Sequence, residues 1–301
     1  MAFYTSKKAI YLFLNNSSEN SKLVLGFYGG EPLLNFHFIN KCVDYIKSHV
    51  KEKKIGYTMT TNGTLLTLKI AEFLLKNNFN LLISLDGSRE EHNSNRKFAN
   101  GEGSFDTIIN NLRIIKDELP DFIKKINFNA VLNPNNNYSE TKRFFECNDI
   151  VSDENVRLQI VNGLLSKKNI LFAEEFYIAR KYDYFKLLLS LIGKISKENV
   201  SKLLKINEVR INEKYHLLKN NYYLGKVGHH GGPCKPGVKK LFVTADGKLF
   251  PCERVSETSP VMNIGNIEEG ISVKKSMDML NIGKLTAEEC IKCWAFIHCS
   301  M

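Results

Sequence analysis

Short apolar runs, each ending in a polar or glycine-bearing turn, recur through the first half of this 301-residue chain. The runs cover residues 22–28, 55–61, 81–85, 123–132 and 156–161. Between them, residues 36–50 and 68–76 have the apolar spacing of amphipathic helices. This alternation predicts βαβ units and an α/β fold with a parallel sheet. Because parallel strands end at a common rim, we expect the chemistry to lie in the loops after the strands.

The second half of the chain changes character twice. Residues 172–218 are rich in Leu, Ile and Lys and have a helical pattern, so they predict a helical connecting segment. After residue 233 short strands, turns and cysteines follow, and Asp246-Gly247 between residues 240–244 and 249–250 predicts a hairpin. With a boundary near 220–233, we predict a core over 1–165, a connector over 166–228 and a cysteine-rich domain over 229–301.

Composition limits the classes of partner and compartment. With 43% hydrophobic and 25% charged residues the chain is not disordered, and 42 basic against 32 acidic residues indicate an anionic partner. Lysines are spread through the helical segments without an aromatic-interleaved basic motif, so we do not expect a nucleic-acid partner. Neither a signal peptide nor an 18-residue apolar window is present, which predicts a cytoplasmic protein without a membrane partner.

Gly29-Gly30-Glu31-Pro32 follows the first apolar run. Two glycines allow close approach of a ligand to the backbone, and Glu31 and Pro32 suit the start of a helix. A Gly-Gly pair by itself is more often an ordinary tight turn between a strand and a helix.

Five of the seven cysteines lie in the last quarter of the chain. Cys234 is followed after twelve residues by Gly247 and after four more by Cys252, while Cys290, Cys293 and Cys299 follow as C-x2-C-x5-C. Closely spaced thiolates bind iron–sulfur clusters or zinc. A zinc ribbon is the alternative, although it needs two matched C-x2-C pairs. His229, His230 and His298 lie near these cysteines and are additional candidate ligands, although a solvent-exposed loop histidine is the more common role. The other two cysteines, Cys42 and Cys147, suit packing in the core.

Together these two motifs resemble the radical SAM superfamily with a SPASM auxiliary-cluster domain. The Gly-Gly-Glu-Pro loop and the cysteine spacing match that family in order, as do Thr61-Asn62-Gly63-Thr64 and Ile83-Ser84-Leu85-Asp86-Gly87 with His92 and Arg96. The resemblance implies a partial parallel (β/α)6-type barrel plus a small cysteine-rich domain. Within the superfamily, residues 250–255 and 293–296 look most like maturases that form thioether cross-links in cysteine-rich ribosomal peptides.

The resemblance also implies the ligands. S-adenosylmethionine would be bound at the strand ends, and 4Fe-4S auxiliary clusters in the last domain. Ordinary roles compete at several of these positions, because Ser84 also suits a cap, Asn62 a turn and Arg96 the surface. Asp86 is a candidate for orienting Arg96 or the adjacent loop. The implied cofactor-binding residues are Gly29, Gly30, Glu31, Pro32, Thr61, Asn62, Ser84 and Arg96, and the implied metal ligands are Cys234, Cys252, Cys290, Cys293 and Cys299.

The catalytic C-x3-C-x2-C triplet of the superfamily does not occur among the seven cysteines. We therefore expect a maturase fragment, short at both ends, that lacks its first strand, exposes an apolar strand edge and is inactive as given. The implied partners are a small Cys-rich precursor peptide and an external reductant. The alternatives are a sulfatase-maturing type of radical SAM enzyme and a non-catalytic module that binds metal or peptide.

Overall fold

A computed structural model describes residues 1–18, 22–50, 53–151, 155–161, 173–219, 235–293 and 296. The strands are β1 Leu23–Phe27, β2 Ile55–Thr61, β3 Phe79–Ser84, β4 Asn127–Leu132, β5 Val156–Ile160, β6 Phe242–Val243, β7 Lys248–Phe250, β8 Gly265–Asn266 and β9 Gly270–Ile271. The α-helices are α1 Phe3–Asn15, α2 Phe36–His49, α3 Leu68–Lys76, α4 Arg89–Asn95, α5 Phe105–Glu118, α6 Pro120–Ile123, α7 Tyr138–Cys147, α8 Glu174–Leu191, α9 Lys205–Lys219, α10 Val273–Leu280 and α11 Ala287–Ile291. Short 3-10 turns cover Pro32–Asn35, Lys197–Asn199, Lys202–Leu204 and Asn281–Thr286.

The chain divides into two compact units that do not follow the chain order. We call residues 24–36 and 55–220 the sheet unit, and residues 1–23, 37–54 and 221–301 the cysteine unit. The first two helices therefore group with the C-terminal segment. The three sequence domains expected above stay a prediction, and their boundary near 220–233 lies outside the described residues.

A five-stranded sheet in the order β1-β2-β3-β4-β5 forms the centre of the sheet unit. The pairings from β2 to β5 are parallel, as predicted. Burial alternates along β3 and β4, because successive strand residues point to opposite faces. The fully buried residues of these strands and of α3 and α5 include Leu81, Ile83, Phe128, Leu74 and Leu112.

Local chemistry explains where the elements begin and end. Thr67 caps α3 through a hydrogen bond from Ile70 N–H, and Asn78 takes a φ of 52° just before β3, a conformation that Asn tolerates better than most residues. The predicted strand over 123–132 begins only at Asn127. Pro120 fits the first turn of a helix, so residues 120–123 form α6 instead.

The cysteine unit contains a four-stranded sheet in the order β6-β7-β8-β9, whose pairings are antiparallel. The predicted hairpin is confirmed, with Gly247 at a φ of 85° in its turn. Buried Leu249, Ile264 and Met279 form the core, and Leu12 of α1 packs against them. In addition Phe3 of α1 meets Tyr45 of α2 edge to face, with ring centroids 6.0 Å apart. In the part of the chain that the structure describes, no helix is long and apolar enough to cross a membrane.

Candidate functional site

The predicted site residues of the sheet unit gather at its carboxyl-terminal rim, which we define as the edge where β1 to β5 end. Gly29-Gly30-Glu31-Pro32 lies just after β1, and Thr61 and Ser84 are the last residues of β2 and β3. Since Thr61 pairs in register with Ile83, the ends of β2 and β3 are neighbours. The topology therefore brings motifs that are distant in sequence to one edge.

Glu31 joins the loops after β1 and β2. Its Oε1 accepts hydrogen bonds from Thr61 Oγ1 at 2.6 Å and from Leu33 N–H at 3.0 Å. Its Oε2 accepts one from Asn62 N–H at 2.7 Å. Protein donors therefore occupy the Glu31 carboxylate, which makes Glu31 a residue that positions the rim.

Gly29 and Gly30 leave their backbone accessible. Both are exposed, and a Cβ built on either would have no protein atom within 4 Å. Gly29 has a φ of 152°, which favours glycine. The loop thus offers open backbone groups at the rim, next to the rigid Glu31 connection.

The turn after β2 is closed by its own side chains. Asn62 Oδ1 accepts hydrogen bonds from Thr64 N–H at 2.9 Å and from Thr64 Oγ1 at 2.8 Å, and Thr61 Oγ1 accepts one from Gly63 N–H at 3.0 Å. Asn111 of α5 donates to the carbonyl oxygens of Gly63 and Thr64 at 3.0 and 3.1 Å. The side-chain oxygen of Asn62 therefore stabilises this turn.

Asp86 and Arg96 form a two-pronged ion pair in the loop system after β3. Arg96 Nε lies 2.6 Å from Asp86 Oδ2 and Nη2 lies 3.1 Å from Oδ1. Asp86 is buried, while Arg96 keeps 29% of its side chain exposed. The prediction that Asp86 orients Arg96 is confirmed. The pair uses two of the five guanidinium N–H donors, so Arg96 can still meet a ligand carboxylate.

His92 supports this pair from the protein interior. Its Nδ1 accepts a hydrogen bond from Asp86 N–H at 3.3 Å, so Nε2 carries the proton and donates to Ser104 Oγ at 3.0 Å. Ser104 Oγ in turn donates to the Arg96 carbonyl at 3.2 Å. Burial lowers the pKa of His92 to about 4, while the Asp86 charge raises that pKa and the Arg96 charge lowers it by smaller amounts. At neutral pH His92 is uncharged and connects Asp86 to Ser104 through hydrogen bonds.

Glu91 ties the start of α4 to α7. Its carboxylate accepts Ser88 N–H at 3.2 Å in a capping box and Thr141 Oγ1 at 2.8 Å. Burial raises the pKa of Glu91, although the hydrogen bonds from Thr141 and Ser88 oppose that shift. Gly87 has a φ of 137°, and a Cβ there would lie 2.4 Å from Glu91 Oε2. Both the positive φ of Gly87 and the nearby Glu91 carboxylate therefore favour glycine at this position.

A charged cluster between α7 and α8 gave no signal in the sequence. Asp183 is buried and lies 2.9 Å from Lys142 Nζ and 3.0 Å from Lys186 Nζ, and Tyr138 OH donates to it at 3.3 Å. Burial alone would raise the pKa of Asp183, but the two lysines hold it below its ordinary value. Tyr138 and Lys142 lie 45 and 41 positions before Asp183, so only the fold brings α7 and α8 together here.

The predicted metal ligands are described only in part. Cys252 is buried after β7, Cys290 is partly exposed with its Sγ 3.3 Å from Thr286 Oγ1, and Cys293 is exposed. Cys234 and Cys299 lie outside the described residues, as do His229, His230 and His298. Among the residues that the structure does describe, no three His, Cys, Asp or Glu side chains are placed to hold a metal ion. The five-cysteine ligand set stays a prediction.

Two cysteines were predicted to be core residues, and the structure separates them. Cys42 is buried on α2, and burial raises the pKa of its thiol. Cys147, the last residue of α7, is exposed, so its prediction is wrong. The amphipathic pattern of α7 buries Tyr138, Thr141 and Phe145 and turns position 147 outward.

Comparison with known proteins supports the assignment of the fold. Residues 9–147 match the radical SAM superfamily. The radical SAM cyclopropyl synthase TigE of Paramaledivibacter caminithermalis is 26% identical over 94% of this chain and 54% of its own length. A cysteine-type anaerobic sulfatase-maturating enzyme of Clostridium perfringens is 28% identical over 93% of this chain and 73% of its own length. The chain thus spans about half of the first relative.

A solved structure shares the fold. The chain of native anSMEcpe with bound AdoMet and Kp18Cys peptide matches with a TM-score of 0.71 at 23% identity, covering 99% of this chain and 80% of that chain. The expected α/β radical SAM fold with its parallel sheet is therefore confirmed.

The rim fits S-adenosylmethionine, but the cysteines do not fit the catalytic cluster. The open backbone at Gly29 and Gly30 and the spare N–H groups of Arg96 suit the amino and carboxylate groups of a bound amino acid. In contrast the 301 residues contain no C-x3-C-x2-C triplet. The rim thus offers groups that suit the amino-acid end of such a ligand, whereas that set of thiolates does not occur in the sequence.

Proposed function

We propose that the chain is the S-adenosylmethionine-binding and peptide-handling part of a radical SAM peptide maturase. The observation that carries the proposal is the Asp86–Arg96 pair, held at the same rim as the open Gly29-Gly30 backbone. The relatives support it, because one is a cyclopropyl synthase and others are sulfatase-maturating enzymes of the same superfamily.

At the rim each residue has a physical role. The backbone of Gly29 and Gly30 accepts the ligand's amino group, and Arg96 pairs with its carboxylate while Asp86 fixes the guanidinium plane. Ser84 offers a hydroxyl at the end of β3. Glu31 keeps the loops that carry Gly30 and Thr61 at a fixed separation. Gly29, Gly30 and Arg96 would hold S-adenosylmethionine at this rim, where the cofactor together with a reduced 4Fe-4S cluster would supply radical hydrogen-abstraction chemistry.

For the substrate we propose a small Cys-rich precursor peptide, modified by a thioether or related cross-link with an external reductant. A sulfatase-maturing role is supported equally well, since both relatives align along more than nine tenths of this chain. The peptide in the anSMEcpe structure favours a peptide substrate in either case. The basic excess of the chain suits an acidic leader segment on that peptide.

The first test measures S-adenosylmethionine binding by isothermal titration calorimetry. We expect Arg96→Lys to weaken binding about tenfold or more, because lysine cannot form the two-pronged carboxylate contact, and tenfold corresponds to about 1.4 kcal/mol. The matched control is Arg89→Lys, which changes an exposed arginine paired with Asp106 on the same loop system. Equal affinities for the two variants would refute the assigned role of Arg96.

The second test separates this proposal from a non-catalytic zinc module. After anaerobic reconstitution with iron and sulfide, we expect the chain to bind both, and Cys290→Ala with Cys293→Ala to reduce that binding. We also expect no 5′-deoxyadenosine from this chain under reductant, because the catalytic triplet is absent. Zinc without sulfide would favour the module, and 5′-deoxyadenosine formation would show that other ligands replace the triplet.

A further inference from the structure

Helix α8 carries two apolar faces, of which only one is buried. Phe176 and Leu187 are buried, together with Asp183. A second stripe is exposed by 42–69% and consists of Ile178, Tyr182, Phe185 and Leu188 of the helix and Ile192, the residue directly after it. A helix that is apolar on opposite faces is normally covered on both. The large exposed side chains form one contiguous patch of the kind that marks an interaction surface.

The spacing of the stripe is a palindrome. Successive members are separated by four, three, three and four residues, with Phe185 at the centre. An antiparallel second copy of α8, related by a twofold axis at Phe185, would place Ile178 against Ile192 and Tyr182 against Leu188. Such a self-complementary patch is what a twofold homodimer requires.

Charges at the two ends of α8 point to the same arrangement. Glu174 and Glu175 are exposed in the first turn, and Lys194 is exposed just after the C-terminus. The end is fixed by Gly193, whose φ is 73°, and by the hydrogen bond from Lys194 N–H to Leu189 O at 2.8 Å. Antiparallel pairing brings Glu175 near Lys194 of the second copy and opposes the helix dipoles. Parallel pairing would instead bring like charges together.

A groove beside the stripe enlarges the surface. It has a volume of about 350 Å³ and is lined by Tyr182, Phe185, Lys186, Leu189, Ile195 and Asn199. The stripe and groove together span about 21 Å of helix at 1.5 Å per residue. The residues of the stripe and groove are far fewer than the roughly 20–30 residues per partner of a standard interface, so the expected dimer is weak and depends on concentration.

From these observations we propose that α8 is a homodimerisation surface, occupied by α8 of a second copy in antiparallel orientation. The proposal concerns a surface distinct from the rim and does not depend on the reaction. Sedimentation velocity of the full chain over about a hundredfold concentration range tests it.

The design compares charge and packing variants. Phe185→Glu places two charges at the axis and should weaken the dimer at least tenfold, whereas Ile114→Glu, at an exposed position of α5, should not. Glu175→Lys and Lys194→Glu should each weaken the dimer, and the double swap should restore it to within about twofold. The double swap keeps the proposal testable even if Phe185→Glu does not fold.

Three results would overturn the proposal. They are a monomer at every concentration, equal dimerisation of the Phe185→Glu and Ile114→Glu variants, and a double charge swap that stays as weak as the single changes.

Discussion

Asp86 Oδ1 accepts a hydrogen bond from Val131 N–H at 2.9 Å, at the point where β3 has ended and β4 continues. The carboxylate takes the place of the next carbonyl of β3 and extends the ladder by one step. One side chain therefore joins the end of the sheet to Arg96. This arrangement places the Arg96 guanidinium on the rigid sheet, which suits a group that must recognise a small ligand.

Removing the Asp86 charge should destabilise the fold. In Asp86→Asn the Arg96 charge loses its partner, and breaking a largely buried pair costs about 2–4 kcal/mol. Urea unfolding measures this change. Asp106→Asn is the control because its pair with Arg89 is exposed, so we expect a loss below about 1 kcal/mol. Similar losses for both variants would show that burial of Asp86 adds nothing.

The buried His92 predicts a pH-dependent stability. Its pKa is about 4 in the folded protein and about 6.5 when unfolded, so the unfolded chain binds more protons between these values. The stability contributed by neutral His92 is complete above pH 6.5 and is lost as the pH falls towards 4, by an amount on the order of 2–3 kcal/mol. Urea midpoints measured between pH 4 and 7.5 should fall less steeply for His92→Gln. Parallel curves for the two proteins would contradict the prediction.

A side chain at position 87 should destabilise the fold. The Cβ of Gly87→Ala would lie 2.4 Å from Glu91 Oε2 at a φ of 137°, so we expect a loss of about 2–3 kcal/mol in the free energy of unfolding. Gly101→Ala is the control, because Gly101 has a φ of 87° but no atom within 4 Å of the built Cβ. It should lose only about 1 kcal/mol. If the separate losses of Gly87→Ala and Glu91→Ala simply add in the double variant, the contact with Glu91 is not the cause.

Glu31→Gln tests the connection between the two rim loops. In the wild-type protein three donors face the two oxygens of the Glu31 carboxylate. Glutamine replaces one of these oxygens by an NH₂ group, which cannot accept, so at least one hydrogen bond is lost at a cost of about 1–3 kcal/mol. S-adenosylmethionine affinity should fall with it, because Gly30 is no longer fixed. Glu72→Gln on the exposed side of α3 serves as control for both unfolding and titration. Unchanged affinity in Glu31→Gln would show that the loop is fixed by other contacts.

Much of the sheet unit was predictable because its signals are local. Ile55–Thr61 and Leu68–Lys76 have the predicted bounds, since each apolar run ends at a residue that terminates the element. The location of the site at the rim followed from the rule that parallel strands end together, whereas the individual site residues were implied by the family resemblance. Asp86 and Arg96 are ten residues apart, close enough for their pairing to be anticipated.

Other features depend on geometry that the sequence does not display. The hydrogen bonds from His92 to Ser104 and from Ser104 to the Arg96 carbonyl form only because the loop over 97–103 folds back on itself. A β-bridge between Lys97 and Gly103 closes that loop. The internal use of the Glu31 carboxylate likewise depends on Thr61 lying beside it. The exposed Cys147 shows that residue type alone does not predict burial. Cysteine is often buried, but the face of the helix on which it lies determines its exposure.

The Glu31 carboxylate connects two loops that are about thirty residues apart in sequence, so the two loops move together. A substitution that reshapes the loop after β1 therefore also moves the backbone amide of Asn62, through a hydrogen bond of 2.7 Å. A chimera that takes the loop after β1 from a relative would therefore have to exchange residues 29–35 and 61–64 together, because the Glu31 carboxylate bonds to both loops.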